Sequence, residues 1–196
     1  MAAVPVRRTE RLVLRGFTDA DRDPFAALNA DPEVMEHFPA PYDRQRSDAF
    51  VDRVLARWAE RQYGLWALER SDTGEFIGYT GLWPAEFEAP FTPAVEVGWR
   101  LARAHWGQGF ATEAALESLR YGFDDLGLDE IVSFTARTNE RSWRVMERIG
   151  LRRDAAGDFE HPSVPLGHRV RPHVLYRLRR EDWARHQRLP RSRRNA

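Results

Sequence analysis

The chain contains no cysteine and no lysine. Without cysteine it can have no disulfide framework, no thiol nucleophile and no thiolate metal ligand. Without lysine a Gly-x-x-x-x-Gly-Lys-Ser/Thr phosphate loop is impossible, and no Gly-x-Gly-x-x-Gly dinucleotide fingerprint occurs either. All 30 basic residues are arginine, balanced by 30 Asp and Glu. The formal net charge is therefore zero, and no overall field recruits nucleic acid or an anionic membrane. The arginines are scattered along the whole sequence, which reads as compositional bias. No apolar stretch is long enough to span a bilayer, and the opening residues lack a signal-peptide pattern. The expectation is a soluble, cytoplasmic protein with neither a nucleic-acid nor a membrane partner.

What is present suits a folded domain: 196 residues with 7 Trp and 11 Phe. Residues 1–183 read as one domain and 184–196 as an Arg-rich tail. Arg11-Leu12-Val13-Leu14-Arg15 reads as a first strand, and Thr18-Asp19-Ala20-Asp21 opens a helix towards Leu28. After a break at Phe38-Pro39-Ala40-Pro41-Tyr42, a longer helix is expected from about Asp43 to Arg61, with Phe50, Val54, Leu55 and Trp58 on one face. Strands at 64–68 and 76–82 flank the turn Ser71-Asp72-Thr73-Gly74, and a further strand covers 95–101. Then follow a helix from about Ala111 to Phe123, a strand at 130–135, a helix over 140–149 closed by Gly150, and a last strand at 173–178. The pattern is a mixed α/β single domain.

The most informative stretch is His105-Trp106-Gly107-Gln108-Gly109-Phe110-Ala111-Thr112-Glu113-Ala114. It follows the strand Val95–Leu101 and runs straight into a helix. Two glycines two apart let the backbone approach a bound group closely. The N–H groups of the first helical turn have no partner within the helix and carry its positive dipole end. Such a junction is an anion site, and the usual anion is a phosphate. A phosphorylated cofactor is expected there.

The second half of the pattern is Asn139-Glu140-Arg141-Ser142-Trp143-Arg144-Val145-Met146-Glu147-Arg148-Ile149-Gly150-Leu151, a helix capped by Asn and ended by Gly-Leu. Together with the glycine turn and the Thr9–Arg15 opening, it resembles the GNAT superfamily of acetyl-CoA-dependent N-acetyltransferases. More narrowly, it is similar to the branch of the ribosomal-protein-alanine N-acetyltransferases of the RimJ/RimL type. The resemblance covers most of the chain and is densest over 94–151. It implies a single-domain α/β fold with a mixed, mostly antiparallel central sheet flanked by helices, its strands splayed at the cofactor.

The family signature Arg/Gln-x-x-Gly-x-Gly/Ala falls on Trp106-Gly107-Gln108-Gly109-Phe110-Ala111, with Trp106 in place of the usual Arg or Gln. The resemblance implies a pyrophosphate cradle made by Trp106, Gly107, Gln108, Gly109, Phe110, Ala111 and Thr112. It also implies backbone contacts from Trp99 and Leu101 to the pantetheine arm, with Asn139 and Ser142 on the same arm. The acceptor would be a primary amine, on a small molecule or a peptide N-terminus, and the assembly a homodimer. The alternative is a non-catalytic acetyl-CoA-binding regulatory module, favoured by Trp106 and by Met146 where many relatives carry Tyr.

Acetyl transfer needs a base for the ammonium and a proton donor for the departing thiolate. Glu96, which alternates with Val95 and Val97 along its strand, is the candidate base; its competing role is a structural ion pair with an Arg. Glu86 and Glu88 come next. Ser142, which shares a helical face with Met146, is the candidate acid, or simply a small residue beside the pantetheine. Phe38, Tyr42, Trp83 and His161 are candidates for the acceptor pocket, with Phe159 and His173 behind them; aromatics near loops are as often ordinary core. Glu113 should point away from the phosphates. The His161, His168 and His173 spacing matches no known metal-ligand set, so no metal is expected.

Overall fold

A computed structural model describes residues 4–188. The helices are α1 (Arg22–Ala30), α2 (Arg44–Arg61), α3 (Phe110–Arg120), α4 (Glu140–Arg148) and α5 (Arg180–Arg188). The strands are β1 (Arg7–Arg8), β2 (Leu12–Arg15), β3 (Leu65–Arg70), β4 (Phe76–Ala85), β5 (Ala94–Leu101), β6 (Glu130–Ala136), β7 (Arg152–Glu160) and β8 (Pro172–Arg179). Contacts divide the chain into two units: residues up to Trp83 with Gly98–Ser118, and Pro84–Val97 with the residues from Leu119 onward.

In the first unit β1, β2, β3 and β4 pair antiparallel in sequence order. The apolar run of β2 is buried along with Trp66 and Leu68 of β3 and Ile77 of β4. Two helices connect β2 to β3. Asp43 caps α2, accepting from the Arg46 N–H at 2.7 Å, the satisfaction of a first-turn donor that a helix start requires. The buried face of α2 carries Ser47, Val51, Val54 and Trp58. The expected face is thus rotated slightly: Leu55 is 38% exposed and Val51 is buried. Phe50 meets the rings of Phe25 and Tyr79, and the indole N–H of Trp58 donates to the Leu65 carbonyl at 2.9 Å. That bond ties the end of α2 to the start of β3.

In the second unit the pairings are β5 with β6, which is parallel, and β6 with β8 and β8 with β7, which are antiparallel. Glu96 is in register with Val132. The sheet is therefore mixed and mostly antiparallel, as expected, with helices α4 and α5 following β6 and β8. Helix α4 ends as the sequence indicated. Gly150 takes φ 93°, its N–H bonds the Glu147 carbonyl, and the Leu151 N–H bonds the Met146 carbonyl, both at 3.0 Å. These are the two bonds of a glycine C-terminal cap.

Besides the short β1, which the sequence reading does not contain, three elements differ from it. Helix α3 starts one residue earlier than expected, at Phe110, and its last turn widens over Tyr121–Asp125. Residues 152–160 form β7, so Asp158, Phe159 and Glu160 belong to a strand and the connecting loop begins at His161. The alternation that marks a half-buried strand is interrupted by Ala155-Ala156-Gly157, and the β7–β8 register breaks between Asp154 and Phe159. Helix α5 runs past Trp183 through the expected domain limit, and residues 189–196 of the expected tail lie outside the described residues. Among the described residues no helix is long and apolar enough to cross a membrane.

Candidate active site

The glycine turn leaves β5 through a short 3-10 turn at Arg103–His105 and enters α3 at Phe110. Gly107 and Gly109 have φ of 72° and 83°, the left-handed region that glycine enters without penalty. Gly107, Gln108 and Gly109 are exposed to solvent, whereas Phe110 is buried. A Cβ on Gly107 would meet nothing within 4 Å, so the concave side of the turn is open there. A Cβ on Gly109 would instead point at the guanidinium of Arg11, 3.4 Å away.

Arg11 is the residue the sequence reading left without a role. Its guanidinium donates to the Gln108 carbonyl at 2.9 Å and to Glu113 at 2.7 Å, and lies 4.5 Å from the centre of the Phe110 ring. Glu113 also accepts from the Thr9 hydroxyl at 2.6 Å and from the Arg11 backbone N–H at 2.8 Å. Burial pushes the Glu113 carboxyl up, but these bonds outweigh it and hold the group below its ordinary range. Glu113 is thus turned towards Thr9 and Arg11, between β1 and β2. The Thr9–Arg15 opening and the glycine turn are joined through one carboxylate.

Trp106 has a structural task. Its indole N–H donates to the Leu101 carbonyl at 2.8 Å, and Gln108 reaches back to the Ala104 carbonyl at 2.9 Å. These bonds fix the turn against the end of β5 at Leu101. Ala111 and Thr112 follow in the first turn of α3, half-buried, and Trp99 lies two residues before Leu101 on β5. Residues 106–112, with Trp99 and Leu101, are all in the first unit.

Phe38, Tyr42 and Trp83 are in this unit too. Phe38 and Tyr42 sit in the segment between α1 and α2 and gather around Arg100, whose guanidinium lies 4.0 Å and 5.3 Å from their ring centres. Trp83 stacks on Phe50 at 6.4 Å, beneath Arg57 at 5.2 Å.

The second unit holds the other predicted residues. Asn139 caps α4: its side-chain oxygen accepts from the Ser142 N–H at 3.3 Å, and its amide donates to the Thr135 hydroxyl at 2.9 Å. Ser142 is half-buried, and its hydroxyl bonds to no described residue. Met146, one turn on, is 1% exposed.

Glu96 is half-buried, and its carboxylate makes no ion pair or hydrogen bond among the described residues. Among the described residues no arginine supplies the competing structural ion pair. Burial pushes its carboxyl from the ordinary 4.5 up to about 8, because a desolvated carboxylate with no counter-charge favours its neutral form. Glu86 and Glu88, on the loop after β4, are exposed.

His161 lies in an aromatic cluster with Phe87 at 4.7 Å, Phe159 at 5.9 Å and Phe134 at 6.0 Å. His173 is 4.9 Å away. Burial, then the neighbouring His173 and Arg171, lower the His161 pKa to about 4. Burial also lowers that of His173. Both rings are neutral at physiological pH. Among the described residues no group of three or more His, Cys, Asp or Glu is arranged to hold a metal ion.

These features agree with what the chain resembles. A family model described as acetyltransferase (GNAT) domain matches residues 11–152. The chain is 35% identical over 149 residues to the uncharacterized protein YkkB of Bacillus subtilis (strain 168), covering 73% of this chain and 83% of that one. It is 33% identical over 191 residues to the FsC-acetyl coenzyme A-N(2)-transacetylase of Aspergillus fumigatus, covering 94% of this chain and 80% of that one. Among solved structures, an acetyltransferase from Agrobacterium tumefaciens str. C58 matches with a TM-score of 0.72 and 31% identity, over 91% of this chain and 96% of that one. With the family model spanning the glycine turn, Glu96 and the Asn139 helix alike, the chain belongs to the GNAT family of acetyltransferases and is an acyltransferase by family.

Proposed function

We propose that this protein is an acetyl-CoA-dependent N-acetyltransferase of the RimJ/RimL-like branch, moving the acetyl group to a primary amine by direct attack on the thioester. The observation that carries the reading is the strand–turn–helix junction. Two left-handed glycines open to solvent stand directly before the first turn of α3, in a chain whose family uses acetyl-CoA. The residues fit a pyrophosphate. The Gly107 side of the turn is open, the helix start supplies N–H groups and a positive dipole end, and the nearest carboxylate, Glu113, is held by Thr9 and Arg11. Trp106 through Thr112 form the cradle, with Trp99, Leu101 and Asn139 along the pantetheine arm.

In the reaction the acceptor nitrogen forms its bond to the acetyl carbon as the carbon–sulfur bond breaks. The amine must shed a proton, and Glu96 takes it, directly or through a water. A buried carboxyl with no counter-ion among the described residues, its pKa raised to about 8, is suited to that task. Ser142, whose hydroxyl is uncommitted, stands beside the pantetheine and offers a proton or hydrogen bond to the departing thiolate. Phe38, Tyr42, Trp83 and His161 serve the acceptor.

The test is release of free thiol from acetyl-CoA with a panel of primary amines. Turnover with at least one amine is expected, falling roughly 10²–10⁴-fold in Glu96→Gln with little change in acetyl-CoA affinity. Acetyl-CoA binding without thiol release for any amine would overturn the catalytic reading.

A further inference from the structure

Arg100 is 5% exposed, and its Nε, closed off from solvent, has no hydrogen-bond acceptor. Its one side-chain partner is the Asn29 carbonyl oxygen, 2.5 Å from Nη1. Asn29 is held in turn: its amide donates to Ser47 at 2.9 Å and its backbone carbonyl accepts from the Tyr42 N–H at 2.9 Å. A buried guanidinium normally lies against a carboxylate. This one has aromatic faces instead, Phe38, Tyr42 and Tyr79, with ring centres at 4.0, 5.3 and 5.5 Å.

The surroundings add positive charge. Arg46 lies 4.1 Å from the centre of the same Tyr42 ring, and Arg53 lies 5.5 Å from that of Phe50. Among the described residues neither Arg46 nor Arg53 makes an ion pair, although most of the described arginines do; Arg15, Arg22 and Arg44 of the same unit each bind two or more carboxylates. Two guanidiniums thus share the Tyr42 ring, and neither pairs with an acid among the described residues. Like charges so placed repel, and an anion that both can reach relieves the repulsion. Guanidinium forks match carboxylates and phosphates.

We propose that Arg100, together with Arg46 and Arg53 on the rings of Tyr42 and Phe50, is the recognition site for an anionic group on the acceptor, so that the substrate is an amine bearing its own carboxylate or phosphonate. This rests on the acetyl-transfer reading above and deepens it. Phe38 and Tyr42 then act as the walls that carry the arginines rather than as the selecting groups.

The experiment compares matched amines, identical except for a carboxylate, a phosphonate or a neutral amide at one position, by thiol release from acetyl-CoA. The wild type should favour the better anionic member over the amide by tenfold or more in kcat/KM, and the carboxylate and phosphonate arms identify which anion is read. The ratio should fall towards one in Arg46→Gln and in Arg53→Gln, both exposed positions whose replacement leaves the core intact, and in Arg100→Gln where that variant folds. Equal rates for anion and amide in the wild type, or an unchanged ratio in both exposed variants, would overturn the proposal while leaving acetyl transfer standing. If no amine releases thiol, acetyl transfer itself fails, and the anion site is decided by melting temperature. N-acetylated acids should then raise it more than the N-acetylated amides, and equal shifts would overturn the proposal.

Discussion

At the scale of single residues the proposed base, Glu96, makes the sharpest prediction. Its sequence position allows a base or an ion pair, and the carboxylate has no partner among the described residues. Because burial pushes the group up to about 8, its basic form is reached only in mildly alkaline solution. The rate should therefore climb with pH to a plateau above about 8, and Glu96→Gln should lose that climb together with its activity; a pH–rate profile of both proteins checks this. The same group links to stability. Between the ordinary 4.5 and about 8 the folded protein keeps a proton that the unfolded chain has lost. Glu96 therefore makes stability decrease as pH rises through that window. His161 acts in the opposite sense lower down: its lowered pKa makes stability fall as pH drops from 6.5 towards about 4. The range from pH 6.5 to 8.5 isolates Glu96, and urea unfolding there should show a decline in the wild type that is reduced in Glu96→Gln.

At the scale of elements, the glycine turn, the proposed cradle, is held from outside itself. One carboxylate, Glu113, takes bonds from Thr9 and Arg11, and Arg11 bonds the Gln108 carbonyl within the turn. Glu113→Gln should lower stability by about 1–3 kcal/mol, the range for losing charged hydrogen-bond partners, measured by urea denaturation. Gly109→Val forces a branched residue to φ 83° and drives its Cβ towards Arg11. It should abolish the rise in melting temperature that acetyl-CoA gives the wild type by mass action. A normal shift in a folded Gly109→Val protein would remove the cradle assignment. Most of these elements were legible in the sequence, because caps and glycine stops act locally: Asn139 and Gly150 do what their positions indicated. Strand β7 was not, because Ala155-Ala156-Gly157 breaks its alternation and only the pairing with β8 defines it.

At the scale of the whole molecule, assembly is a property for solution measurement. The homodimer implied by the family resemblance predicts sedimentation at twice the 22.8 kDa chain mass, and a monomer would remove it. The sequence by itself determined the α/β class, the glycine turn before α3, the capped helix after Asn139 and hence the family. Each of these is written in neighbouring residues, through backbone freedom, capping and periodicity. Only the tertiary structure decided which charges have partners. It paired Glu113 with Thr9 and Arg11 across more than a hundred residues, left Glu96 without an arginine, and enclosed Arg100 in aromatic rings. In a chain with 30 arginines and 30 acids, spacing alone cannot say which pairs meet, because desolvation and partner geometry are set by contacts between residues far apart in the sequence.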